Sequence, residues 1–164
     1  MKKYLRCILL TTLLIMIASC KNTDTTQPEK DRPLEELLTS IQSCDTSLPK
    51  LTQISSQDKQ PELNFRYLSD ADYTMIHSYL YAYSMERTAE EIAVIKLNDK
   101  NDAAAVMDSL HKHIEDRKGT FQEYAPEQVA LMEKAVVTRN GRYIALIICS
   151  KSGLAQKAFQ SCFE

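Results

Sequence analysis

The chain predicts an α+β domain, with helices packed on a mostly antiparallel sheet that ends in a C-terminal β-hairpin and a final helix. Three observations carry this. Residues 90–97, at their centre, and residues 143–149 are rich in β-branched residues and apolar on both faces, as strands covered from both sides are. Asn140-Gly141 stands between β-rich runs at 135–138 and 143–149, the strongest short-range hairpin signal. From Ala103 onward, apolar residues recur at three and four, the helical period. Beyond the N-terminal leader and tether about 130 residues remain, enough for one core and too few for two. The chain therefore divides into a leader over 1–19, a lipidated cysteine with a flexible tether over 20–32, and a single α+β domain over 33–164.

Taken in order, Pro33 suits the first turn of a helix, where its missing N–H costs nothing. Leu34, Leu37, Leu38 and Ile41 then share one face, which Cys44 continues. Pro49 and its neighbours break that helix. Residues 51–62 are polar and weakly patterned. Residues 63–67 alternate apolar with polar, a short strand. Ser69 and Asp70 suit a helix cap, and Met75, Ile76, Tyr79 and Leu80 give that helix an apolar side. Residues 77–85 read equally as a strand, with Tyr79, Tyr81 and Tyr83 along one face. Residues 90–97 form an interior strand, and residues 98–102 supply caps for the longest helix. Its stripe of Ala103, Val106, Met107, Leu110, Ile114 and Arg117 runs to about Lys118, with Gly119 placed to end it. Pro126 opens a short helix with Val129, Leu131 and Met132 on its apolar side. The hairpin follows, turning at Asn140-Gly141, where both residues accept positive φ. Ser150 or Ser152 caps the last helix, with Leu154, Ala155, Ala158, Phe159 and Cys162 facing the core.

The N-terminus says where the protein works. Lys2, Lys3 and Arg6 precede an apolar run over 7–17, and Ile17-Ala18-Ser19-Cys20 closes it. A basic start, a short apolar core and small residues before a cut are the three parts of a secretory signal. A branched aliphatic, two small residues and then cysteine match the bacterial lipobox, with Ile17, Ala18 and Ser19 read by the signal peptidase. The Cys20 thiolate takes a thioether-linked diacylglycerol. Two acyl chains anchor stably where one is marginal, and the apolar run is shorter than the ~20 residues of a spanning helix. Loss of Lys2, Lys3 and Arg6 with the signal leaves 17 basic and 22 acidic residues, a formal charge of −5. That balance excludes the basic footprint of a nucleic-acid binder.

No catalytic constellation is legible. Glu90 and Glu91 point to opposite faces of a strand and cannot share a substrate; they read as charged residues at the start of the strand. His111 and His113 are two apart on a helix and do not face each other, and His111 with Glu115 lacks a third ligand, so no metal site and no cofactor are expected. The tyrosine face of Tyr79, Tyr81 and Tyr83 is either a platform for a sugar ring or an extended peptide, or a half-buried face beneath a helix. Arg139 and Arg142 read as solvated turn charges. Once the signal is removed and Cys20 lipidated, Cys44, Cys149 and Cys162 remain, an odd number that reads as buried thiols, with Cys149–Cys162 the pair to test for a bridge.

The lipobox at 17–20, Glu90-Glu91-Ile92-Ala93-Val94-Ile95-Lys96, Asp102-Ala103-Ala104-Ala105-Val106, Phe121-Gln122-Glu123-Tyr124-Ala125-Pro126-Glu127 and Asn140-Gly141-Arg142-Tyr143-Ile144 together carry a resemblance. On these residues the chain resembles a family of small lipoproteins of Gram-positive bacteria classed as domain of unknown function 4358. The resemblance covers the chain from about Leu34 to its end, in pattern more than in a diagnostic motif. It implies an envelope location and a fold, and no catalytic residue.

The expected function is that of a membrane-anchored extracytoplasmic lipoprotein acting as a binding or accessory module at the cell envelope. Its partners would be the membrane, through the lipid on Cys20, and an envelope protein, peptide or saccharide. Two alternatives stand beside it: a cell-envelope enzyme whose residues assemble only in the fold, around Glu90, His77 or His111, and a purely structural lipoprotein.

Overall fold

The apolar patterns become five strands and five helices in a computed structural model that describes residues 30–164. Helix α1 (Leu34–Gln42) leads to strand β1 (Leu51–Ser55), helix α2 (Pro61–Phe65), a 3₁₀ turn over Tyr73–Met75 and strand β2 (Ile76–Ser84). Strand β3 (Glu91–Leu97) and a 3₁₀ turn over Lys100–Asp102 precede the long helix α3 (Ala103–Tyr124). Another 3₁₀ turn (Pro126–Gln128), helix α4 (Val129–Met132), the hairpin of β4 (Val136–Asn140) and β5 (Tyr143–Ile148), and helix α5 (Ser152–Ser161) complete the order. The strands form one antiparallel sheet in the order β1-β2-β3-β5-β4. The fold is α+β, with β3 and β5 at its centre.

Strand parity divides the core in two. On one face Tyr79, Tyr81, Ala93, Ile95, Ile144, Leu146 and Ile148 pack beneath α3, which contributes Val106, Leu110, Ile114 and Phe121. On the other, Leu80, Ile92, Val94, Tyr143, Ala145 and Ile147 meet the leucines of α1 and Phe159 of α5. Helices on both faces explain why β5 and the centre of β3, residues 92–95, are apolar on both sides rather than alternating. The residues just before α1 are tied to the sheet as well. The Tyr143 hydroxyl donates to Asp31, and it accepts from the Arg32 N–H at 2.9 Å. Lys96 pairs with Asp31 at 2.6 Å, and mainly through that contact holds its carboxyl at about 2.

Several elements differ from the sequence reading, each for a physical reason. Residues 51–55 are an edge strand rather than irregular chain. Its side chains stay partly exposed, so no apolar pattern marked it. Residues 63–67 are not a strand: Pro61 starts a helical turn, Phe65 is buried and Leu63 is exposed. The helix expected after Asp70 is only a 3₁₀ turn, capped by Asp72 on the Thr74 N–H at 2.9 Å. Pairing of β2 with β3 claims Ile76 onward, with a bulge at His77 that leaves it without a partner in β3. Gly119 does not end α3, which continues to Tyr124. Burial of Phe121, whose ring lies 5.1 Å from the Arg117 guanidinium, offsets the helical cost of one glycine. The hairpin is where expected, but Asn140 pairs with Tyr143, so Gly141-Arg142 is the two-residue turn. Gly141 has φ 54° and Arg142 is not among the positive-φ residues, the arrangement of a turn with glycine at its first central position.

Cys44, Cys149 and Cys162 are free thiols. Cys149 precedes α5 and Cys162 follows it, so a ten-residue helix of about 15 Å separates them. A disulfide needs Cα atoms within ~7 Å.

Two substitutions test the layering in denaturant unfolding. Leu146→Ala empties a fully buried position on the central strand and should destabilise by about 2–5 kcal/mol. Leu63→Ala, on the exposed side of α2, should change stability by less than about 0.5 kcal/mol. Equal effects would contradict the burial of Leu146 and the exposure of Leu63.

Candidate functional site

One carboxylate on the α3 side of the sheet has no exposed surface. Glu91 is the first residue of β3, and parity places it with Ala93, Ile95 and Leu97 against the helix. An ion there is strongly unfavourable unless paired. Three side chains pair it. Tyr81, its diagonal neighbour across the β2–β3 ladder, donates its hydroxyl at 2.5 Å. His113 and Arg117, one turn apart on α3, reach down together. Nε2 of His113 lies 3.0 and 3.2 Å from the two oxygens, and Nη1 of Arg117 lies 2.5 Å from Oε2. Burial pushes the Glu91 carboxyl up, but His113, then Arg117 and the Tyr81 hydroxyl, outweigh it and hold it below its ordinary value. Burial, reinforced by the Glu91 charge, pushes the Tyr81 phenol far above the usual range.

The three partners of Glu91 form the inner wall of a cavity of about 500 Å³ lined by Tyr67, Tyr81, Tyr83, His113 and Arg117. Tyr83 stands opposite Glu91 in the ladder and stacks on Tyr81, with ring centroids 5.0 Å apart and planes 28° apart. The His113 ring meets Tyr81 edge-on at 6.5 Å. Tyr67, beyond α2, is 66% exposed and forms the outer rim. The cavity thus joins aromatic rings to a guanidinium and an imidazole whose positions the buried carboxylate holds.

Tyr79, Tyr81 and Tyr83 do share one face, and α3 covers it unevenly. Tyr79 is fully buried, donates its hydroxyl to the Pro61 carbonyl at 2.8 Å and packs on Phe65. Tyr81 is 4% exposed and Tyr83 half-buried. Only the latter two reach the cavity. His77, His111 and Glu90 are not brought together. His77 is exposed at the start of β2, and Glu90 meets the far end of that strand through Ser84, roughly 20 Å away at strand rise. His111 is exposed on α3. Among the described residues no group of three His, Cys, Asp or Glu could hold a metal ion. Ile17, Ala18, Ser19 and Cys20 lie outside the described residues.

Glu91, His113, Arg117 and Tyr67 were not singled out together from sequence, although Arg117 already interrupted the apolar stripe of α3. A second cleft, also of about 500 Å³, lies beside α1 and is lined by Asp31, Arg32, Gln53, His77 and Lys96 among others. There Asp31 pairs with Lys96 and Arg32 with Glu36, while Nε of Arg32 is buried without a hydrogen-bond partner among the described residues.

Removing one partner of the buried charge tests its role. Arg117→Leu should destabilise by about 3 kcal/mol, because Glu91 would stay buried with less to neutralise it. The Glu91 value in the fold lies below its unperturbed 4.5, so its stabilisation is complete above 4.5 and is lost as pH falls through the folded value. Glu91→Gln should therefore flatten the acid limb of the stability–pH curve. An unchanged limb would mean that Glu91 is not held as an ion.

A family model described as Domain of unknown function (DUF4358) matches residues 50–149. No curated protein and no solved structure matches the chain. The matched segment contains Tyr67, Tyr81, Tyr83, Glu91, His113 and Arg117, while α1 and α5 lie outside it. The chain belongs to the DUF4358 family.

Proposed function

We propose that this protein is a lipoprotein anchored through Cys20 at the extracytoplasmic face of the cell membrane, and that its domain is a binding module working through the tyrosine-lined cavity. The observation that carries the binding reading is the construction of that cavity. A fully buried carboxylate holds an arginine and a histidine in place beside three aromatic rings, within the volume range of small-ligand sites. Rings supply contact area, and preset donors supply orientation. The anchoring reading rests on Ile17-Ala18-Ser19-Cys20 after a basic, apolar leader. Among the described residues no helix is long and apolar enough to cross a membrane.

Two measurements test the two halves. Cys20→Ser in intact cells should abolish incorporation of labelled fatty acid and release the protein from the membrane fraction; retained label would sink the anchoring reading. For binding, the full chain in detergent should be unfolded thermally against cell-wall fragments, neutral saccharides and peptides. A ligand at a hundred times its dissociation constant adds about 2.7 kcal/mol of stability. The shift should disappear in Tyr67→Ala, whose exposed ring makes no demand on the core. A panel in which nothing shifts the wild type, or in which Tyr67→Ala shifts equally, would sink the binding module at this cavity.

A further inference from the structure

We infer that the cavity selects an acidic saccharide, a pyranose ring carrying a carboxylate. This rests on the binding reading above and names its ligand class. The charges at the site decide against a cation. No carboxylate lines the cavity, and the nearest, Glu91, has no exposed surface and already takes Tyr81, His113 and Arg117. A cationic ligand would meet a guanidinium with no free negative partner. An anion can engage Nε and Nη2 of Arg117, the donors that Glu91 does not take.

The hydrogen-bonding groups left at the wall favour an acceptor-rich ligand. Among the described residues Arg117 bonds through Nη1 alone, to Glu91 at 2.5 Å and to the Ala89 carbonyl at 3.5 Å. Its Nε and Nη2 are donors and nothing else. The hydroxyls of Tyr67 and Tyr83 likewise take no partner among the described residues and can donate outward. Guanidinium N–H groups meet carboxylate oxygens in a planar fork.

Ring geometry selects the rest of the ligand. Tyr83 is backed by Tyr81 and cannot swing away from the cavity without breaking the stack. Tyr67 lines the same cavity and lies largely in water. A flat, wholly apolar ligand would leave much of its surface wet at such an open rim. A sugar ring has a C–H face for a tyrosine and hydroxyls for the solvent side. With a carboxylate on its edge it satisfies rings and guanidinium together.

The test is titration calorimetry on the full chain in detergent, with N-acetylmuramate, glucuronate, N-acetylglucosamine and lactate as probes. The two acidic sugars should bind saturably. N-acetylglucosamine, which lacks the carboxylate, and lactate, which lacks the ring, should each bind at least about tenfold more weakly, the scale of one lost charge-assisted contact. Tyr67→Ala should weaken acidic-sugar binding without unfolding the domain. Arg117→Lys, which keeps the charge but loses the fork, should erase most of the preference for acidic over neutral sugar. N-acetylglucosamine binding as tightly as N-acetylmuramate would overturn the acidic class and leave the binding module standing. Acidic-sugar binding that survives Tyr67→Ala would put the sugar elsewhere and overturn the inference. No binding by any probe would also overturn it; the thermal panel of neutral saccharides, peptides and wall fragments then decides separately whether the cavity binds anything.

Discussion

A carboxylate wholly withdrawn from water has to be neutralised, and at Glu91 that requirement organises one end of the domain. Its partners come from a neighbouring strand and from a helix far along the chain: Tyr81 on β2, and His113 and Arg117 on α3. The helix must therefore pass over the start of β3 with its seam changed from aliphatic to charged. Above that point Val106, Leu110 and Ile114 pack on the sheet; beyond it Phe121 resumes the apolar contact. The long helix extends past Gly119 because Phe121 has a place to be buried.

Neutralising Glu91 also shapes the cavity. Because the carboxylate engages Nη1 of Arg117 and Nε2 of His113, both side chains are fixed at the wall rather than free in solvent. Tyr81 is committed to the same carboxylate, and Tyr83 rests on Tyr81. Most of the cavity wall is thus held in place by contacts within the domain, with Tyr67 the exposed exception at the rim. A similar economy operates on the other face of the sheet, where Asp31, Tyr143 and Lys96 tie the residues before α1 to the strands.

Much of the fold could be read in the chain because local chemistry and burial agreed there. Strand 90–97, hairpin 135–149, the helix after Asp102 and the leucine face of 34–41 all have a period that matches their environment. Misreadings fell where the two parted. Residues 51–55 form a strand whose side chains stay partly wet. Residues 63–67 alternate like a strand, yet Leu63 is exposed and Pro61 sets a helix. Met75, Ile76, Tyr79 and Leu80 satisfy a helical spacing, but pairing with β3 made residues 76–84 a strand. Asn140-Gly141 located the hairpin, while the register placed Gly141-Arg142 in the turn.

The sequence by itself determined the α+β class, the central strands and the shared face of Tyr79, Tyr81 and Tyr83, because each rests on spacing or on neighbours along the chain. Only the tertiary structure decided which tyrosines reach a cavity and which charges meet. Tyr79 is sealed by Phe65 and bonded to Pro61, whereas Tyr83 stays at the wall with Tyr67. The two halves of the ion cluster were each visible as a charge within an otherwise apolar face, Glu91 on its strand and Arg117 on its helix. Their meeting depends on how α3 crosses the sheet, and no spacing along the chain encodes the distance between residues 26 positions apart. A buried charge and its counter-ion are paired by packing, and packing is a property of the folded chain.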